Sequence, residues 1–198
     1  MEQIELNKYQ RLALRLLDLG MMSRERADAA CVEVADWHVG DPDQDVDATV
    51  LVEFDVAVQA HGDDVDYAEE AYIHLLRKAA SLSGGSVTVT DIELVPDEDG
   101  DEDGDGEGGE DGAGEEFKQL RFKVNGEPKC WDIDSVSDDY LDLTAVSTGI
   151  DDLGPGGDDP RAFYLIIESM DNIFLLATHE QARTLRDEFG LKIDVRTP

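Results

Sequence analysis

The fold prediction starts from two runs of apolar residues in the stretch FYLIIESMDNIFLLA, residues 163–177. Runs of five apolar residues without polar alternation are typical of strands buried on both faces. We therefore predict a central strand at residues 163–167. A second strand at residues 173–177 is joined to it through Asp171 and Asn172.

Helix and strand signals follow these two runs. Thr178 and Gln181 match a capping box, which predicts a helix that starts there and ends at Gly190. Apolar residues then alternate over 191–195, which predicts a short last strand.

A hairpin signal precedes the two runs. Apolar and charged residues alternate over 120–124, and Asn125-Gly126 is a strong signal for a two-residue turn. The return strand contains Pro128, which favours the edge of a sheet because proline lacks a backbone N–H. A helix capped by Ser137 and ending before Gly154 completes the predicted order ββαββαβ for this half of the chain.

The first half of the chain begins with two predicted helices. Asn7 and Ser23 are suitable N-caps for helices at 8–19 and 24–37, and the short link between them predicts an αα-hairpin. Four arginines on these helices could bind nucleic acid, but we interpret them as solvated faces because their surroundings are so acidic.

A predicted strand–helix–strand unit follows. Even-numbered positions from 50 to 58 are all apolar, which predicts a strand with one buried face. A helix is predicted at 66–82 and a second strand at 86–95, with a β-bulge near Thr90 where the apolar parity shifts. The length of the unit fits a crossover connection between parallel strands.

The predicted fold class is α+β. It comprises a helical hairpin (1–39), a βαβ-type lobe (40–96), an acidic disordered insert (97–116) and a ββαββαβ lobe (117–198), and the two lobes could share one mixed sheet. The insert holds 12 acidic residues in 20 positions. It has too few apolar residues for their burial to offset the entropy cost of ordering the chain.

The charge of the chain is its strongest functional signal. There are 48 acidic and 16 basic residues in 198, a net charge of −32. Outside the insert 36 acidic residues remain, so the acidity belongs to the folded part as well. Self-repulsion of this size opposes the compact state unless salt, metal ions or a basic partner screens it.

The composition also resembles that of proteins from salt-loaded cytoplasms, in which aspartate is abundant and lysine is rare. Aspartate outnumbers glutamate and arginine outnumbers lysine in this chain. This resemblance is one of surface composition, and it does not identify a protein family.

Other features limit the class of protein. We expect an intracellular, cytoplasmic protein, because no apolar segment is long enough for a membrane helix and residues 1–5 lack the character of a signal peptide. Cys31 and Cys130 are predicted to be free, mostly buried thiols rather than a disulfide framework.

Motif searches give weak signals for metal sites or catalysis. A calcium-loop pattern occurs within the insert, where a chance match is expected and no flanking helix is predicted; its residues are Asp99, Asp101, Asp103, Gly104 and Glu110. Four scattered histidines offer no metal-ligand spacing, and no nucleophile motif occurs. We therefore predict no catalytic residue, no cofactor and no specific metal, only non-specific association of cations.

A carboxylate stripe is the candidate binding surface. If residues 41–55 are extended, odd-numbered acids project to one side, with neighbours about 6.6 Å apart. Such a stripe would dock an arginine- and lysine-rich protein or mimic a phosphate backbone. The partner-binding candidates are Asp41, Asp43, Asp45, Asp47, Glu53 and Asp55.

Three functional hypotheses follow. The first is a non-catalytic inhibitor or immunity-type protein that engages a basic protein by electrostatic complementarity. The alternative is a small halophilic enzyme or accessory subunit whose acidity is only salt adaptation, and a lesser alternative is a nucleic-acid mimic. The expected partners are a basic protein or inorganic cations, without direct binding to nucleic acid or membrane, and the oligomeric state is left open.

Overall fold

The computed structural model describes residues 6–35, 37, 45–61, 68–96, 117–133, 141–168 and 171–195. Contacts divide the chain into two compact units. Unit 1 takes in residues up to Gln59 and from Pro155 onward, and unit 2 takes in those from Ala60 to Gly154. The predicted insert at 97–116 lies outside the described residues.

The described elements confirm a mixed α+β fold with two three-stranded antiparallel sheets. In chain order they are α1 (Lys8–Asp18), α2 (Arg24–Glu33), α3 (Val50–Glu53), β1 (Ala57–Ala60), α4 (Ala68–Ser81), β2 (Val89–Pro96), β3 (Phe117–Val124), β4 (Glu127–Asp132), α5 (Leu143–Gly149), a 3₁₀ helix (Ile150–Leu153), β5 (Ala162–Glu168), β6 (Asp171–Ala177) and α6 (His179–Phe189).

The sheet of unit 1 has the order β1-β6-β5. The prediction that residues 163–167 form the central strand is therefore wrong, because β6 lies between β1 and β5. Burial agrees with this order: Ile173–Ala177 is buried throughout, whereas Ile167 of β5 is 60% exposed. The last predicted strand is reduced to a single bridge between Ile166 and Ile193.

The predicted strand at 50–58 is also wrong over its first half. Val50–Glu53 is one helical turn, and the strand begins only at Ala57. Asp47 starts the turn, since its Oδ1 accepts from the Thr49 backbone N–H at 2.9 Å. Asp55 then ends the turn in the left-handed conformation, at φ 59°. The buried residues Val50, Leu51 and Phe54 fit helical spacing, and the burial of Leu51 breaks the predicted alternation.

Local capping signals in unit 1 are confirmed. Asn7 with Gln10 and Thr178 with Gln181 form complete capping boxes, and Ser23 caps α2. Helix α1 packs on α2 as the hairpin prediction requires, although α2 ends at Glu33 rather than near residue 37. The core of unit 1 lies between these helices, α6 and the sheet.

The sheet of unit 2 has the order β2-β3-β4, so the predicted crossover from β1 to β2 is wrong. The two strands lie in different sheets, and β2 pairs with β3 instead. Asn125 contributes to this pairing: its N–H donates to Thr88 O at 2.9 Å and its Oδ1 accepts from Thr88 N at 2.8 Å, which connects the turn to the residue before β2. The predicted bulge is confirmed, with a register shift after Thr90 and Asp91 at φ 52°.

Helix α5 starts later than predicted. Its N-cap is Asp142 rather than Ser137, which lies outside the described residues. Among the helices that the structure describes, none has the length and apolar character to cross a lipid bilayer.

Candidate partner-binding groove

Strand β4 has one side free for pairing among the described strands, because it lies at the edge of its sheet. Asn125 and Gly126 both have positive φ, 51° and 86°, as a two-residue hairpin turn requires. The residues flanking such a turn, Val124 and Glu127, exchange both backbone hydrogen bonds, and the pattern then alternates along the strands.

This alternation decides which backbone groups of β4 point outward. Glu127, Lys129 and Trp131 direct their N–H and C=O groups to β3. Pro128, Cys130 and Asp132 direct theirs away from the sheet. Proline is tolerated in β4 because its missing N–H falls on this outer side. Cys130 and Asp132 therefore present outward N–H donors and C=O acceptors.

Helix α5 covers the face of the sheet that carries Trp131. The indole is 5% exposed and packs edge-on against Phe122, with ring centroids 5.1 Å apart. Gly149, the last residue of α5, lies so close that a Cβ there would be 2.2 Å from Trp131 Cε2. The absence of a side chain at 149 thus lets the helix approach β4.

Asp152 fixes the orientation of the indole. Its Oδ2 accepts from Trp131 Nε1 at 3.0 Å, and its Oδ1 accepts from Lys129 Nζ at 2.6 Å. Burial acts to raise the pKa of the Asp152 carboxyl, but the hydrogen bonds from Lys129 and Trp131 and the lysine charge hold that pKa below its ordinary value. Asp152 is therefore ionised at neutral pH.

Asp142 fixes the start of α5. Its carboxylate accepts from the backbone N–H groups of Thr144 and Ala145 at 2.8 and 2.9 Å. Its own backbone N–H donates to Tyr72 Oη at 2.9 Å, which links α4 to the N-cap of α5. Tyr72 is 1% exposed, and burial raises the pKa of its hydroxyl to about 12.

An open groove of about 600 Å³ runs between β4 and α5. We call it the β4–α5 groove. The acidic residues Asp132, Asp142 and Asp152 contribute to its lining, and no basic residue among those described does so. The alternation along β4 directs the Asp132 carboxylate to the face opposite α5. Its lining includes Cys130, Trp131, Asp132, Asp142, Gly149 and Asp152.

Replacement of Tyr72 by phenylalanine tests the support of this groove. The change leaves the Asp142 N–H without its partner, so we expect a loss of about 1–2 kcal/mol in the free energy of unfolding at neutral pH. Because the pKa of Tyr72 is raised in the folded state, wild-type stability falls as pH rises from 10 to about 12, by roughly 2–3 kcal/mol for a shift of this size. Urea unfolding at each pH should show the wild-type advantage shrinking over that window and vanishing or reversing by about pH 12, because the expected loss is at least as large as the advantage at neutral pH; a constant difference would contradict the assignment.

The structure does not assemble the predicted carboxylate stripe on one strand. Asp41 and Asp43 lie outside the described residues. Helix α3 breaks the extended backbone that the stripe requires, and the remaining acids take separate positions. Their role in partner binding stays a prediction; the described ones are Asp45, Asp47, Glu53 and Asp55, all exposed.

Arg26 in α2 contacts two of these acids, Glu53 and Asp55. Arg26 contacts Asp55 at 3.5 Å and Glu33 at 3.0 Å, and it also donates to the backbone oxygen of Glu53. Its guanidinium lies 5.9 Å from the centre of the Phe54 ring. Asp55 is thus partly neutralised within the chain, which makes it a weaker candidate for a partner.

Replacement of Arg26 by alanine should therefore destabilise the protein by about 1–2 kcal/mol, because one side chain joins α2 to the α3 turn through several polar contacts. Arg24→Ala is the matched control, since Arg24 is exposed on the same helix and should change stability by no more than about 0.5 kcal/mol. Equal effects of the two substitutions in urea unfolding would show that the contacts of Arg26 contribute nothing.

A second groove of about 600 Å³ lies in unit 1, between α1 and the end of α6. Its charges are mixed. Arg15 makes a two-bond contact with Glu188, and the buried Lys8 donates from Nζ to Asp45 O at 3.1 Å. Asp45 also lies against Gly190, where a Cβ would be 2.2 Å from Asp45 Oδ1. Internal pairs occur at both grooves, since Lys129 pairs with Asp152 beside the β4–α5 groove. Of the two, the groove in unit 1 is the one whose lining includes described basic residues.

The described residues give little support for metal binding or thiol chemistry in either groove. Within the described ranges, no three histidine, cysteine or acidic side chains are grouped so as to hold a metal ion. The calcium-loop pattern falls at 99–110, outside those ranges. Both cysteines are free, but the prediction that they are mostly buried is wrong for Cys130, which is exposed on the outer side of β4.

Sequence reasoning missed the β4–α5 groove, although it located several of its parts. The Asn125-Gly126 turn and Pro128 correctly predicted an edge strand. The acids of the groove, at 132, 142 and 152, are ordinary in a chain with so many carboxylates, so only the packing of α5 on Trp131 distinguishes them.

Comparison of the chain with protein-family models, curated proteins and solved structures finds no match in any of the three. The geometry of the described residues therefore carries the functional argument.

Proposed function

We propose that this is a non-catalytic binding protein that engages a basic partner by electrostatic complementarity, as an inhibitor or immunity-type protein does. The observation that carries the proposal is the β4–α5 groove, where three acidic residues contribute to the lining of a cleft beside a sheet edge that no other described strand covers. Complementary charge raises association rates and excludes partners of the wrong sign.

The field of the whole chain supports the same proposal. With a net charge of −32, potentials of several kT attract cationic molecules to the surface. A groove between low-dielectric walls concentrates such a field, so a basic group gains more in the groove than on an open face. Asp132 is exposed, and Asp142 is half-buried with its Oδ1 already accepting from two backbone N–H groups of α5.

The alternative is salt adaptation, in a small halophilic enzyme or accessory subunit. It is supported by exposed acids on helices that line neither groove, such as Glu25 and Asp28 on α2 and Glu69 on α4. Hydrated acids spread over many faces suit high salt whatever the protein binds. A nucleic-acid mimic has less support, because α3 interrupts the regular spacing that the carboxylate stripe would need.

Binding of octa-arginine to matched charge variants tests the proposal. Asp132→Asn with Asp142→Asn removes two charges from the groove, and asparagine keeps an N-cap at 142. Glu25→Gln with Asp28→Asn removes two charges from α2 and serves as the control. Calorimetry at physiological ionic strength should show about ten-fold weaker binding for the groove variant and little change for the control.

Equal weakening of the two variants would contradict the proposal. It would show that cations associate with the total charge rather than with the groove, which is the behaviour that salt adaptation alone predicts.

A further inference from the structure

We propose that the partner enters the β4–α5 groove as an extended segment, pairs with β4 as a fourth strand of its sheet, and carries two consecutive basic residues. This inference rests on the proposed function and names the form of the partner. It derives from the open edge of β4, the side chains on its two faces and the charge of the groove.

The backbone of β4 is ready for such pairing. Cys130 and Asp132 each present an outward N–H and C=O, spaced as alternate residues of one strand. No described residue supplies hydrogen bonds to these groups. Exposed strand edges bind extended peptides by the same hydrogen bonds that join strands within a sheet.

The size of the groove favours a single extended strand over a bulky domain as its occupant. Helix α5 forms one wall and the edge of β4 the other, and the volume is about 600 Å³. A segment between them would hydrogen-bond to one wall and contact the exposed Thr144 and Thr148 of the other. Such a cleft accepts a few extended residues.

The side chains on β4 specify the charge of the segment. Residues directly opposite each other in adjacent strands have their side chains on the same face. A partner residue opposite Trp131 therefore points to the α5 side, towards Asp142, and a residue opposite Asp132 lies on the other face beside that carboxylate. These two partner residues are consecutive, so a neighbouring pair of arginines or lysines places one cation on each face.

Other occupants fit less well. A second copy of this chain would bring further negative charge to a groove that already holds three carboxylates. Free metal ions would use the carboxylates but not the outward N–H groups of β4. A basic extended segment uses both features.

A capped octapeptide, Val-Thr-Val-Arg-Arg-Val-Thr-Val, is the probe for this inference. With the whole 198-residue chain, we expect binding that slows amide hydrogen exchange at Cys130 and Asp132. The same peptide with methylated nitrogens in its four central residues should bind about ten-fold or more weakly, because it retains the charge but loses the backbone hydrogen bonds. A peptide with glutamates in place of the arginines should not bind.

A protein variant gives the reciprocal test. Cys130→Pro removes an outward N–H without removing a bond to β3, and should weaken binding of the Arg-Arg peptide about ten-fold. Cys130→Ser keeps the N–H and should bind as wild type does. The methylated peptide needs no variant, so the test does not depend on the proline substitution folding correctly.

The outcomes separate this inference from the proposed function. If octa-arginine binds through Asp132 and Asp142 but backbone methylation has no effect and exchange at Cys130 is unchanged, strand addition is overturned and the proposed function stands. If neither octa-arginine nor the Arg-Arg peptide binds, both are overturned.

Discussion

Replacement of Gly149 by alanine is expected to lower the free energy of unfolding by about 1–3 kcal/mol, the cost of forcing extra volume into a packed site. The new Cβ would lie 2.2–2.6 Å from three atoms of the Trp131 indole. Either α5 or the ring must move, which breaks the bond from Trp131 Nε1 to Asp152 and the edge-on contact with Phe122. Urea unfolding with tryptophan fluorescence measures the loss.

The direction of this result is informative, because helix propensity alone predicts the opposite. Alanine is a better helix former than glycine by about 1 kcal/mol. Thr148→Ala, on the exposed side of the same helix, is the control and should stabilise slightly. A Gly149→Ala protein more stable than wild type would show that α5 does not approach Trp131 as described.

Salt should produce the second large effect. We expect the free energy of unfolding to rise by roughly 2 kcal/mol or more between 0.1 and 2 M KCl, because the Debye length falls from about 10 Å to less than 3 Å and repulsion among the exposed acids is screened. Circular dichroism during urea unfolding at each salt concentration measures the change.

Sucrose at matched osmolality is the control for this experiment. It stabilises compact states by exclusion from the protein surface but does not screen charge. We expect KCl to stabilise far more than sucrose. Full stability in dilute buffer, unaffected by KCl, would show that the net charge of −32 imposes no requirement for cations.

Local signals predicted the elements of this fold well, because caps and turns depend on residues close in sequence. The N-cap at Asn7, the capping box at Thr178 and the turn at Asn125-Gly126 all lie where the residue types predict them. The bulge near Thr90 was visible as a shift in apolar parity. Each of these features needs only a few neighbouring side chains.

Pairing between distant strands could not be predicted in the same way. The apolar positions at 50–58 are compatible with a strand or with a helical turn, and the contact of Asp47 with Thr49 and the left-handed backbone of Asp55 mark the two ends of the turn. The pairing of β2 with β3 includes a contact between Thr88 and Asn125, 37 residues apart. Alternation indicates which face is buried but not which strand lies beside it.

The candidate site was the least predictable feature, because charge was abundant everywhere. The regular run of aspartates at 41–47 predicts a binding surface, whereas Asp132, Asp142 and Asp152 lie ten residues apart and form no motif. They line one groove only because α5 packs against β4 over Gly149.

The most direct test of the account is a map of amide chemical-shift changes when octa-arginine is added to the isotopically labelled protein. The account predicts that the largest changes fall at Cys130, Asp132 and Thr144, around the β4–α5 groove. Changes spread evenly over the exposed acids of both units, or concentrated at Asp45 and Asp47, would contradict it.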